Sequence, residues 1–173
     1  DGLDRAGVPG EELDNVILGM VVQAGAGQIP SRQATIKAGL PPEIPSETIN
    51  KVCASGLRAV NLGDLLIRSG EAELVVCGGM ENMSAVPYLL PRVRDGLRMG
   101  DGPVIDGLIK DGLWCPFHQV HMGVHGGSVP ASEYGITREE MDSWALRSQQ
   151  RAVAAIDKGL FDTEIVPVTV PQH

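Results

Sequence analysis

Cys53 stands in Val52-Cys53-Ala54-Ser55-Gly56-Leu57-Arg58-Ala59, between a stretch patterned as a strand (Glu47 to Val52) and one patterned as a helix. A thiol at such a junction faces the unsatisfied N–H groups and the positive dipole end of the helix. Both favour the thiolate, the nucleophilic form of a cysteine. A reactive thiol here is suited to passing an acyl group through a thioester. The competing reading is a small buried hydrophobe packed at a helix start, because cysteines are commonly buried. Cys77 ends an apolar run and reads as core.

A second cluster is Cys115, His118, His121 and His125, four soft or borderline ligands within eleven residues, separated by two, two and three residues. Zinc sites use these residue types at short gaps. The usual structural arrangement is two pairs separated by a longer loop, however. Histidines lining a polar pocket are therefore the preferred reading and no metal is expected, with a metal-binding module at Cys115–His125 as the alternative. No Gly-x-Ser-x-Gly elbow occurs, so Ser55 is read as a helix-start residue. Gly25-Ala26-Gly27 and Gly78-Gly79 make no phosphate-binding loop and read as turns.

The elements that must position Cys53 follow from periodicity. Leu3 to Ala6 looks like the end of a helix stopped by Gly7 and Pro9. Val16 to Val22 is a continuous apolar run, typical of a strand buried on both faces. Ser31 to Ala38 reads as a helix ended by Gly39. After Cys53 a helix runs from about Ser55 to Ser69, with Leu57, Val60, Leu62, Leu65 and Leu66 as its apolar positions. Glu73 to Gly79 is a further strand. Strand and helix patterns alternate three times in about eighty residues. That alternation predicts an α/β fold, a mostly parallel sheet with helical crossovers. Ligands in such sheets bind at the carboxyl ends of strands, where Cys53 falls.

From Met80 to about Ser132 the pattern dissolves into a Gly-, Pro-, Met- and His-rich stretch. An irregular insertion of this length is usually functional or an assembly element. Order returns at Thr137-Arg138-Glu139-Glu140, a capping box, and the helix it opens ends at Lys158 and Gly159. Glu164 to Val170 alternates like a strand. The expected parts are residues 1–79, the core with the nucleophile; 80–132, an irregular substrate-lining and assembly region; and 133–173, a helix and strand.

Composition narrows the function. The 173 residues carry a net charge of −8, which disfavours nucleic acid as a partner. Arg92, Arg94 and Arg98 form one local basic cluster, read as a solvated loop before a phosphate contact. No apolar run reaches the roughly 18 residues of a membrane span. The N-terminus does not read as a signal peptide. Three distant cysteines argue against a disulfide framework and for a reducing compartment, such as the bacterial cytoplasm.

Asn50-Lys51-Val52-Cys53-Ala54-Ser55-Gly56-Leu57-Arg58-Ala59-Val60 closely resembles the nucleophile segment of the thiolases, the acetyl-CoA acetyltransferases. Gly78-Gly79-Met80-Glu81-Asn82-Met83-Ser84 with Pro87-Tyr88 resembles their second signature. Gln28 to Ala34 and Gly159 to Val168 also match, so the resemblance covers nearly the whole chain. It implies an incomplete thiolase-type N-terminal domain and a ping-pong reaction. Cys53 would attack an acyl-CoA thioester or the keto carbon of a 3-ketoacyl-CoA, and coenzyme A or acetyl-CoA would then take the acyl group. The Cys53 backbone N–H would help bind the oxyanion.

The resemblance further implies that Leu113, His121 and Met122 contact the substrate and that Arg98 to Gly102 is a loop used in tetramer assembly. It implies coenzyme A thioesters as substrates, no other cofactor, and a homodimer or homotetramer. Two departures stand out. His125-Gly126-Gly127-Ser128 replaces the usual Thr-Ala-Glu-Asn, removing a carboxylate and an amide. The family's first strand and its second domain, with the activating histidine and the acid/base cysteine, are expected to lie outside this chain. A sheet without that first strand would expose an edge. A catalytically silent assembly fragment is the alternative function.

Overall fold

The computed structural model describes residues 1–170 and divides the chain into two compact units, Gly2–Gln119 and the residues from Val120 onward. In the first unit, α1 (Gly2–Ala6) leads to β1 (Asn15–Gly19). Then come α2 (Pro30–Lys37), β2 (Ser46–Ile49), α3 (Ser55–Ser69) and β3 (Val75–Gly79). The sheet order is β2-β1-β3 and both pairings are parallel, with Ile17 opposite Glu47 on one side and Cys77 on the other. This is the sheet with helical crossovers that the alternating patterns predict. Its edges are β2 and β3.

Strand ends differ from the apolar runs because side chains intercept the ladder. β1 stops at Gly19, although the apolar run continues to Val22. The Val21 and Val22 N–H groups donate to the Glu81 carboxylate instead, at 2.8 and 3.3 Å. β3 begins at Val75 because Glu73 and Leu74 donate to Asp14 Oδ2 at 2.6 and 2.9 Å. β2 stops at Ile49 for the same kind of reason, described below.

The core is aliphatic. Leu13, Val16 and Ile44 are buried together, with Leu3, Leu18, Leu40, Leu74 and Val76 packed around them. The α2 contact with β2 is polar. Ser31 N–H donates to Thr48 Oγ1 at 2.9 Å, Thr48 Oγ1 donates to Ser31 Oγ at 2.9 Å, and Thr35 Oγ1 lies 2.9 Å from Ser46 Oγ. Ser31 and Thr35 are fully buried yet satisfied, as buried hydroxyls must be.

α3 turns a different face to the sheet than its leucines suggest. Its buried positions are Ser55, Ala59 and Gly63, spaced four apart, while Leu57, Val60 and Leu65 are exposed. Small residues on one stripe let the helix approach β1 and β3 closely. Gly78 and Gly79 do not form a turn but end β3, paired with Leu18 and Gly19.

Beyond Met80 the first unit is irregular, and the boundary between the two units falls at Gln119 and Val120, inside the stretch read as one irregular region. β4 (Tyr88–Leu89) and β5 (Ile105–Asp106) pair antiparallel, and Ile109–Leu113 winds as a π-helical turn. In the second unit, Val124–Ser128 is another π-helical turn, followed by α4 (Val129–Glu133) and α5 (Arg138–Asp157). α5 opens with the predicted capping box: Glu140 N–H donates to Thr137 Oγ1 at 3.2 Å, and Thr137 N–H to Glu140 Oε2 at 2.9 Å. The strand expected over Glu164 to Val170 does not form, since no ladder partner meets that alternating segment among the described residues. Among those residues, no helix is long and apolar enough to cross a membrane.

Candidate active site

Cys53 is exposed and sits two residues before α3, at the carboxyl end of β2. The turn that carries it is held tightly. Asn50 Oδ1 accepts the Val52 N–H at 2.8 Å. Ser55 Oγ accepts the Lys51 N–H at 2.8 Å and donates to the Val52 carbonyl at 2.6 Å. The Ala54 N–H reaches the Lys51 carbonyl at 3.2 Å and the Ser55 N–H the Val52 carbonyl at 3.0 Å. Within this turn the Cys53 N–H has no acceptor among the described residues. It is therefore open to an incoming carbonyl oxygen.

Val52, directly before the thiol, has φ of 49°. That conformation costs a β-branched residue about 1–3 kcal/mol and persists only where the surroundings over-determine it. The Asn50 and Ser55 bonds do so. They also end β2, because Val52 is drawn into the turn rather than the ladder.

The other thiols differ. Cys77 is half-buried within β3, and burial pushes its thiol up. It packs against α3 from within the strand and is not part of the buried core. Cys115 is buried, its Sγ 3.4 Å from His118 Nδ1 and 3.5 Å from the His118 backbone nitrogen. The His118 backbone N–H, then its ring, hold the Cys115 thiol below its ordinary range. A tetrahedral zinc, with sulfur at about 2.3 Å and nitrogen at about 2.0–2.1 Å, separates those two atoms by about 3.5 Å. Within the first unit, the pair's 3.4 Å separation matches one edge of such a tetrahedron, which is only two of the four ligands that a closed structural site needs.

Leu113 is half-buried at the end of its π-helical turn in the first unit. His121 and Met122 belong to the second unit and are exposed. His121 Nδ1 accepts the Gly123 N–H at 3.0 Å, which fixes the ring against its own loop. His125 lies in the π-helical turn of that unit. His173 lies outside the described residues.

The model of the thiolase N-terminal domain matches residues 1–173. The chain belongs to the thiolase family. Curated relatives agree. The acetyl-CoA acetyltransferase of Cupriavidus necator is 56% identical over 171 residues, covering 99% of this chain and 43% of the relative. Those of Pseudomonas aeruginosa and Escherichia coli K12 are 52% and 51% identical, covering 99% and 97% of this chain and 43% of each relative. This thiolase chain thus spans under half the length of these relatives.

Two residues that brace this thiolase site, one in the turn and one just after β3, are not singled out by the sequence patterns. Asn50 and Glu81 were visible only as letters within the two signatures. The available signal for Asn50 was its place two residues before a turning N–H, an Asx-turn position. Glu81 had no local signal, since its partners lie 60 and 59 residues away.

Proposed function

We propose that Cys53 is the acyl-carrying nucleophile of an acetyl-CoA acetyltransferase. Its Sγ attacks the thioester carbonyl of acetyl-CoA; the S–C bond to Cys53 forms and coenzyme A leaves as its thiol. In the cleavage direction, Sγ attacks the keto carbon of a 3-ketoacyl-CoA, a carbon–carbon bond breaks, and acetyl-CoA leaves once its carbanion takes a proton. One thioester replaces another, so the site can run either way. The reaction needs proton donors, which the family resemblance places in a second domain.

The observation that carries this reading is the exposed Cys53 thiol beside an unengaged backbone N–H, on a turn locked by Asn50 and Ser55. The resemblance extends it to coenzyme A thioesters as substrates without a further cofactor, and to Leu113, His121 and Met122 as substrate contacts. A second copy of the chain, in a homodimer or homotetramer, is the expected partner, and the fully exposed Met99 in the Arg98 to Gly102 loop supports such an assembly. Bacterial relatives support a cytosolic setting.

Incubation with acetyl-CoA followed by peptide mass spectrometry tests the reading. Acetylation concentrated on Cys53 is the expected result. Modification shared evenly among Cys53, Cys77 and Cys115 overturns it.

A further inference from the structure

We propose that Asn50 and Glu81 are positioning residues that together set the Cys53 backbone N–H for its oxyanion. The proposal rests on the reading of Cys53 as the nucleophile. Three chain segments leave the carboxyl ends of the three parallel strands, and these two side chains tie them together. Glu81, just after β3, accepts the Val21 and Val22 N–H groups that follow β1. Asn50, just after β2, donates through Nδ2 to the Val21 carbonyl at 3.1 Å and accepts the Val52 N–H through Oδ1.

The bonds form a directional series. The Val22 N–H and the Val21 carbonyl belong to one peptide unit. Its N–H end points at the Glu81 carboxylate and its oxygen accepts from Asn50. The Asn50 amide continues in the same sense, its NH₂ toward Val21 and its oxygen toward the Val52 N–H. A carboxylate polarises the first amide, the first polarises the second, and each bond strengthens the next. The series ends on the residue whose φ is strained, one peptide unit before the Cys53 N–H. Small displacements of an oxyanion donor have large kinetic effects, because the donor acts only at hydrogen-bond distance from the developing charge.

The test compares two reactions of Cys53 in the same chain. Acetyl transfer from acetyl-CoA needs the oxyanion donor, whereas alkylation by iodoacetamide needs only the exposed thiol. In Glu81→Ala and Asn50→Ala, acetylation of Cys53 is expected to fall on the order of tenfold while alkylation stays within about twofold. Glu81→Gln keeps one acceptor oxygen and is expected to recover part of the acetylation rate. Asn50→Ala removes the acceptor for Val52 and the donor to Val21 without adding a charge near Cys53, so it cuts the series at the side-chain amide.

Unchanged acetylation in both variants overturns the proposal. So does an equal fall in both reactions, or a lowered urea-unfolding midpoint that accounts for the fall in acetylation, each of which assigns the bonds to stability alone. A parent chain that never acetylates Cys53 overturns the nucleophile reading itself and is distinct from either result.

Discussion

Gly19 and Ser55 approach so closely that no side chain fits between them: a Cβ on Gly19 would stand 2.5 Å from the Ser55 carbonyl carbon. Here β1 meets the first turn of α3, the turn that follows Cys53. The obstacle is backbone, so it cannot swing aside. Gly19→Ala is expected to push α3 off the sheet and cost about 1–3 kcal/mol, in the range of overpacked cores. Urea unfolding measures it, and Cys53 acetylation should fall with it.

Gly63 lies inside α3, where Gly→Ala ordinarily stabilises a helix by about 1 kcal/mol. Its position reverses that expectation, since a Cβ there would meet Cys77 Sγ at 2.5 Å. Gly63→Ala should lower the unfolding midpoint in the parent chain. In a Cys77→Ala background, with the sulfur gone, the same change should raise it. A double-mutant cycle of the two isolates the coupling.

Asp14 accepts two backbone N–H groups, from Glu73 and Leu74, which hold its carboxyl below the ordinary aspartate value of 3.8. A depressed carboxylate stabilises the fold above its unfolded value, and that contribution is lost as pH falls through the lower, folded value. Acid unfolding of the parent should therefore steepen below about pH 4. In Asp14→Asn that part of the acid limb should flatten, which thermal melts across pH 2–7 would show.

Thr137→Ala removes the Oγ1 acceptor that serves the Glu140 N–H. The loss should cost about 1 kcal/mol and fray the first turn of α5. Far-ultraviolet circular dichroism reads the helix directly. Glu140 is held below the ordinary glutamate range by the Thr137 backbone N–H and then its hydroxyl. Its contribution is likewise present above the ordinary glutamate value and lost as pH falls through the depressed one, so the Thr137→Ala effect should shrink in acid.

Local chemistry determined much of this protein in advance. The α3 span, its Gly70 ending and the Thr137 capping box follow from contacts within one or two helical turns, which the order of residues specifies directly. The alternation of patterns likewise determined a parallel sheet, and Cys53 was visible at the end of a strand. Tertiary structure decided what depends on partners far along the chain. It ended β1 at Gly19 through Glu81, began β3 at Val75 through Asp14, and left Glu164 to Val170 without a ladder. It turned Ser55, Ala59 and Gly63 of α3 to the sheet instead of its leucines, because closeness of approach outweighed apolar area there. The turn around Cys53 combines both: Asn50 and Ser55 shape it locally, while the bond to Val21 and its anchor at Glu81 exist only because three strands end side by side.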